Sequence, residues 1–215
     1  AIVPLSGESI YLLRAESPGP SVSKMVPKMR TSAAILYAIY CAMTLLQILF
    51  YRLGVLFGWG EITWFDSLCL AFGTAGTGGF GNWNDSIAHY NSAYLQNVIT
   101  VFMILFGINF SAYFLILTRK FRQAFRIEEI RVYLGVIFVF AGLIAFNVRP
   151  MFGSLRESFH HALFQVASII TTTGFSTVDF DQWPTFSRAL LVLLMFIGAC
   201  AGSTGGGIKI VRIVI

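Results

Sequence analysis

Four runs without a charged residue, 33–51, 94–118, 132–148 and 189–208, dominate the chain. Each is long enough to cross, or nearly cross, an apolar layer about 30 Å thick. A chain of 215 residues that is 56% hydrophobic and 12% charged, with a mean hydropathy of +0.74, has too little polar surface to coat a water-soluble globule of its size. The reading is an integral membrane protein with at least four crossings.

The net charge of +5 raises the question of nucleic acid, but the basic residues are not spread like the lining of a groove. Arg14, Lys24, Lys28 and Arg30 precede the first run, and Arg119, Lys120, Arg122, Arg126 and Arg131 link the second to the third. Both segments are expected on the cytoplasmic side by the positive-inside rule. The opposite side then holds Arg52, Arg149, Arg156 and Arg188 against Glu61, Asp66, Asp85, Glu157, Asp179 and Asp181. An acidic outer vestibule would concentrate cations, and ordinary solvated loops have the same composition. Cys41, Cys69 and Cys200 lie in apolar surroundings without metal-ligand spacing and read as core packing. The chain opens on Ala1 with no signal peptide, and is expected to be an interior fragment of a longer protein.

Two short stretches are out of place in such a chain: Thr74-Ala75-Gly76-Thr77-Gly78-Gly79-Phe80 and Ile170-Thr171-Thr172-Thr173-Gly174-Phe175-Ser176. Each follows an apolar helical segment too short to cross, 61–72 and 155–170, and precedes a long run. The short segments fit half-helices that dip in from outside and aim their partially negative ends at the membrane centre. The stretches after them would climb back out. Glycine permits the unusual backbone angles, and threonine adds a hydroxyl oxygen beside the carbonyl, so both turns can present a line of oxygens to a bare alkali cation. Non-helical backbone at that depth must line a wet cavity or be buried in protein. Span, half-helix, turn and span recur in the same orientation, which makes parallel repeats and suits a pore along the membrane normal.

Within Gly198-Ala-Cys-Ala-Gly-Ser-Thr-Gly-Gly-Gly207, five of ten residues are glycine. A helix there would cost about 1 kcal/mol per glycine relative to alanine, so it is expected to break and to leave carbonyls with the Ser203 and Thr204 hydroxyls in the conduction path, as a gate. Lys209 and Arg212 follow, within reach of headgroups or water. Ile208 separates Gly207 from Lys209, so the phosphate-cradling motif is not met and nucleotide binding by this chain is rejected. His160 and His161 are adjacent and cannot both face one site on a helix, and His89 falls in an outer loop; a structural role is expected. Asp179 and Asp181 fit paired carboxylates or a polar mouth loop equally. No nucleophilic set converges, and the chain is not read as an enzyme.

Arg14-Ala-Glu-Ser-Pro-Gly-Pro20, Thr77-Gly-Gly-Phe80, Thr171-Thr-Thr-Gly-Phe175 and Gly198-Ala-Cys-Ala-Gly-Ser-Thr-Gly-Gly-Gly-Ile-Lys209 together resemble the Trk/Ktr/HKT superfamily of potassium uptake proteins, most closely the bacterial Trk membrane subunits. The resemblance implies an all-α integral membrane fold of parallel membrane-pore-membrane repeats, each two transmembrane helices flanking a re-entrant pore half-helix and a filter turn. Four such units surround one pore in the family. By that pattern 1–30 is a cytoplasmic connector beginning with the end of the first unit's inner helix, 31–118 is the second unit, 119–131 a basic cytoplasmic link, and 132–215 the third unit, ending in a broken helix. Gly79 and Gly174 match the filter glycines, and Thr77, Gly78, Thr172 and Thr173 match the carbonyl donors before them. Gly202, Ser203, Thr204, Gly205, Gly206 and Gly207 match the gate loop. The implied cargo is potassium, with no other cofactor, and the implied setting is a multi-pass protein of the bacterial inner membrane. The implied partners are the lipid bilayer, a second subunit in a homodimer and a cytosolic ring of nucleotide-binding regulatory domains, with no nucleic acid. A sodium or mixed-cation relative, and a non-transporting scaffold or sensor, are the alternatives. Half a ring of carbonyls is not expected to conduct alone.

Overall fold

The computed structural model describes residues 29–214. The connector expected over 1–30, with the Arg14 to Pro20 motif, Lys24 and Lys28, lies outside the described residues except for Met29 and Arg30, which begin the first helix. That helix, α1 (Met29–Leu56), is apolar and free of proline, and it stops where Gly58 turns to a φ of +70° and the Trp59 amide reaches back to the Gly54 carbonyl at 2.8 Å. Near its end Arg52 donates to the Ile62 carbonyl at 2.9 Å and lies 4.2 Å over the Trp64 ring, tying the end of α1 to the start of the next helix.

The short helices follow one plan. In α2 (Trp64–Ala75) the Thr63 hydroxyl accepts from the Asp66 amide at 3.0 Å, and Ser67 donates to the Thr63 carbonyl at 2.7 Å. Ahead of α7 (Leu155–Ile170) the Ser154 hydroxyl accepts from the Glu157 amide at 3.2 Å, and Ser158 donates to the Ser154 carbonyl at 3.0 Å. Hydroxyl cap, acid in the first turn and back-bonding serine recur in the same places, satisfying amide donors and setting a negative charge at the positive helix end. The second copy is one turn longer, 16 residues against 12.

Between them run α3 (Ala93–Phe106), α4 (Phe110–Leu117), α5 (Phe121–Phe125) and α6 (Glu128–Val148). The run 94–118 was expected to descend as one helix; it breaks at Gly107-Ile-Asn109 with a bend of 91°. A Cβ at Gly107 would collide with the Tyr133 ring of α6, and the Asn109 side chain accepts from the Ser111 amide at 2.8 Å, starting α4 afresh. The expected link 119–131 also shortens, because its last residues from Glu128 onward already belong to α6. After α7 come α8 (Thr185–Phe196) and the short α9 (Val211–Val214), so the run 189–208 loses helix at Ile197, as its glycine content requires.

By length and composition α1 and α6 can each cross a membrane, and the bent pair α3–α4 makes a third if counted as one. Helix α1 packs on α2 and α3, and α6 on α7 and α8; α3 against α7 joins the halves. Each half has its own core, around Tyr51, Leu70 and Phe106 in one and Tyr133, Ile137 and Ile144 in the other, but Phe164, Ala167 and Phe175 of the second half insert into the first core.

Candidate ion-binding turns and gate loop

Both half-helices end in the same backbone. Gly76 and Thr171 keep helical angles (φ −82° and −84°), then Thr77 and Thr172 flip to left-handed φ of 48° and 57°, and Gly79 and Gly174 follow at 65° and 88°. The closing hydrogen bonds match: Gly78 N–H to Gly73 O and Thr173 N–H to Ser168 O, both at 2.9 Å, and Thr77 N–H to Thr74 O at 3.1 Å beside Thr172 N–H to Ile169 O at 2.9 Å. A β-branched residue in the left-handed region is strained by about 1–3 kcal/mol, which other contacts must offset. The N–H groups of Thr77, Gly78, Thr172, Thr173 and Gly174 are spent on the half-helices, and the turns keep their carbonyls free: among the described residues, those of Thr77, Gly78, Gly79, Thr172, Thr173 and Gly174 accept no hydrogen bond. The turns also touch, since a Cβ at Gly79 would run into the Thr173 carbonyl. Thr77, Gly78, Gly79, Thr172, Thr173 and Gly174 therefore form one oxygen-rich patch at the meeting ends of α2 and α7.

Gly202, Ser203, Thr204, Gly205, Gly206 and Gly207 lie against this patch. The Thr77 hydroxyl lies between the Thr204 carbonyl at 3.0 Å and the Gly76 carbonyl at 2.8 Å and shares its one proton between them, and the Gly206 amide donates to the Thr172 hydroxyl at 2.7 Å. The two bonds to the loop hold the strained threonines in place. Gly205 is buried close to Thr171, where a Cβ would stand 3.1 Å from its carbonyl oxygen. The loop closes on itself through Gly198 N–H to Ile208 O at 2.7 Å.

The break between α3 and α4 is the loop's socket. Freed from helical pairing, the Gly107 carbonyl accepts from the Cys200 amide at 3.1 Å, the Phe106 carbonyl accepts from the Thr204 hydroxyl at 3.2 Å, and the Phe110 amide donates to the Gly202 carbonyl at 3.0 Å. Each broken element supplies what the other lacks, as buried backbone groups require. The sequence reading missed this socket. Its signal was Gly107 two residues ahead of Asn109, a capping residue inside an apolar run.

Two charged residues hold the loop from the far side. Glu129, buried at the start of α6, accepts from the Ala201 amide. Lys209, expected to reach headgroups or water, instead donates its ammonium to the Gly205 carbonyl. The remaining candidates are engaged elsewhere. Asp179 accepts from the Asp181 amide at 3.1 Å and from Gln182 at 2.9 Å, which makes it a loop cap rather than half of a carboxylate pair. His160 pairs with Gln96 and Asn97 across the α3–α7 seam, His161 with Thr177, and His89 stacks 3.8 Å from Trp83. Cys200 is buried, and Cys41 and Cys69 are partly so.

A profile of the TrkH family, described as cation transport protein, matches residues 2–215. The chain is 33% identical over 220 residues to the Trk system potassium uptake protein TrkH of Escherichia coli (strain K12), a match covering 100% of the chain and 44% of the relative. It is 34% identical to the TrkH of Halomonas elongata and 31% identical to TrkG, another Trk system potassium uptake protein, of Escherichia coli (strain K12); each match again covers 100% of the chain and 44% of the relative. The chain thus spans less than half the length of these curated relatives. The crystal structure of the potassium transporter TrkH from Vibrio parahaemolyticus superposes with a TM-score of 0.82 at 30% identity, over 95% of this chain and 44% of that one. With sequence and fold agreeing along nearly its whole length, the chain belongs to the TrkH family of membrane cation transport proteins.

Proposed function

We propose that the chain forms two adjacent membrane-pore-membrane units, 31–118 and 132–215, of the potassium-translocating subunit of a Trk-type uptake system. The units run parallel, with the half-helices α2 and α7 entering from outside and the basic segment after α4 on the cytoplasmic side. One observation carries the reading: two turns with the same backbone leave their carbonyls unpaired, touch each other, and are clamped by equivalent threonine hydroxyls to one glycine loop. Carbonyl oxygens at such a turn replace the hydration shell of a potassium ion, and the negative ends of two half-helices lower the cost of bringing its charge to mid-membrane. The loop from Gly202 to Gly207 lies against the turns and acts as the gate. The two units supply half a ring, which other units of the complete subunit close. The basic link meets a cytosolic nucleotide-binding regulatory ring, and subunits pair as homodimers in the bacterial inner membrane.

The test is Gly174→Ser in the complete transporter subunit, since no atom stands within 4 Å of a Cβ built there. The variant is expected to fold at the cost of the backbone strain alone and to lose discrimination of potassium over sodium. Unchanged selectivity and unchanged growth on limiting potassium would overturn the filter assignment. Deleting Gly202 to Gly207 is expected to raise uptake; regulated, wild-type flux after the deletion sinks the gate.

A further inference from the structure

The loop is fastened on both sides of its glycine run. On the outer side the fastenings are the hydroxyls of Thr77 and Thr172, which belong to the turns themselves. On the other side the fastening is by charged side chains bonded to backbone groups. Glu129 is 9% exposed in the first turn of α6, while its neighbour Glu128 is exposed. A carboxylate is not left buried there without partners. Its partner is the Ala201 amide, next to the loop's first left-handed glycine, Gly202. The Asn109 side chain, the Val211 amide and the Lys209 ammonium also face the carboxyl, and Lys209 holds the Gly205 carbonyl. One carboxylate thus sits among the α3–α4 break, both limbs of the loop and the end of the basic link, with Arg126 of the link and Arg131 of α6 flanking it in sequence and exposed.

We infer that Glu129 is a latch: a positioning residue that holds the 198–207 loop across the pathway, and through which movement of the basic cytoplasmic link releases it. The inference rests on the gate reading proposed above. Its physical basis is that a hydrogen bond to an ionised acceptor is about twice as strong as a neutral one, so one residue at the head of a rigid helix can bias a glycine loop that has little stability of its own. Pulling the start of α6 by the link shifts the acceptor away from the Ala201 amide, and the loop is then held by the α3–α4 socket and the two threonines alone while the rest of α6 stays packed.

The test uses the complete subunit in membrane vesicles, with Cys41→Ser and Cys69→Ser so that Cys200, buried beside Ala201, is the reporter in this segment. Glu129→Ala is expected to raise potassium flux in the unstimulated state about tenfold, the effect of one lost charge-assisted hydrogen bond on a closed-to-open ratio, and to make Cys200 reactive toward a membrane-permeant maleimide. Glu129→Gln keeps an acceptor at the same reach and is expected to raise flux only about threefold, with intermediate labelling. Ala201→Pro removes the donor instead; it is expected to match Glu129→Ala, and the double variant to exceed neither. A merely structural role would lower flux and yield together. Wild-type flux, or Cys200 as protected as in the parent, in the variants that fold overturns the latch. If deleting Gly202 to Gly207 raises flux while the Glu129 variants do not, the latch alone fails; if the deletion does nothing, the gate reading fails with it.

Discussion

At Gly73 the first turn comes so close to its half-helix that a Cβ would stand 2.7 Å from the Phe80 carbonyl oxygen and 3.3 Å from the Phe175 ring. At the equivalent place in the second unit stands Ser168, whose hydroxyl donates to the Phe175 carbonyl at 2.6 Å, and the Thr171 and Thr173 hydroxyls pair at 2.8 Å above it. Phe175 is fully buried, while its counterpart Phe80 is 81% exposed. The two turns share one set of dihedrals yet are held in different ways. The second is braced by its own side chains, and the first is held by what surrounds it, with the wedge of Phe175 foremost. Backbone shape at such a turn is thus separable from the means of fixing it, and the second copy can keep the first while changing the second.

The largest test of that contrast is alanine at the two pivotal glycines. Gly79→Ala is expected to cost more than about 3 kcal/mol, because the left-handed strain comes with a collision against the Thr173 carbonyl. Gly174→Ala has open space and is expected to cost only the backbone strain, about 1–2 kcal/mol. Thermal unfolding of both variants in detergent measures the difference; equal losses would mean that the turns are held alike. Next is Gly73→Ser, which copies the second unit's residue into the first. It is expected to destabilise by about 1–3 kcal/mol by displacing the Phe80 carbonyl and crowding the Phe175 ring, where a turn that simply lacked a brace would gain. The converse, Ser168→Ala, orphans the buried Phe175 carbonyl and is expected to cost about 1–2 kcal/mol. The smallest effects belong to the clamps. Thr77→Val and Thr172→Val each remove one hydroxyl from the loop at nearly constant shape, about 1 kcal/mol each, and are expected to raise basal flux by similar factors while the corresponding serines do not. A response at one threonine only would show that the loop hangs from a single turn.

Much of this was legible in the residues. The short segment read over 155–170 matches the helix Leu155–Ile170 at both ends, and the five glycines after Ile197 match the loss of helix there. The first half-helix was placed three residues early because the apolar stripe was followed instead of the Thr63 and Asp66 cap pair, which fixes the start at Trp64. The bend at Gly107 to Asn109 was missed because hydropathy does not change across it; the reason for it lies in Tyr133, on another helix. Glu129 draws no reading from the sequence, and Lys209 reads as a charge that reaches headgroups or water. Their partners are backbone atoms of a loop that only the fold brings near, and a residue's sequence neighbourhood carries no trace of such a bond.

The socket at the α3–α4 break has a further consequence. In the gating motion proposed above, departure of the loop would bare the Phe106 and Gly107 carbonyls and the Phe110 amide, in a place where an unmet backbone group costs several kcal/mol. Such a motion would exchange one solvent for another, with water entering the vacated socket as the glycines depart. Opening would then take up water and closing expel it, so a solute too large to enter the socket is expected to favour the closed form.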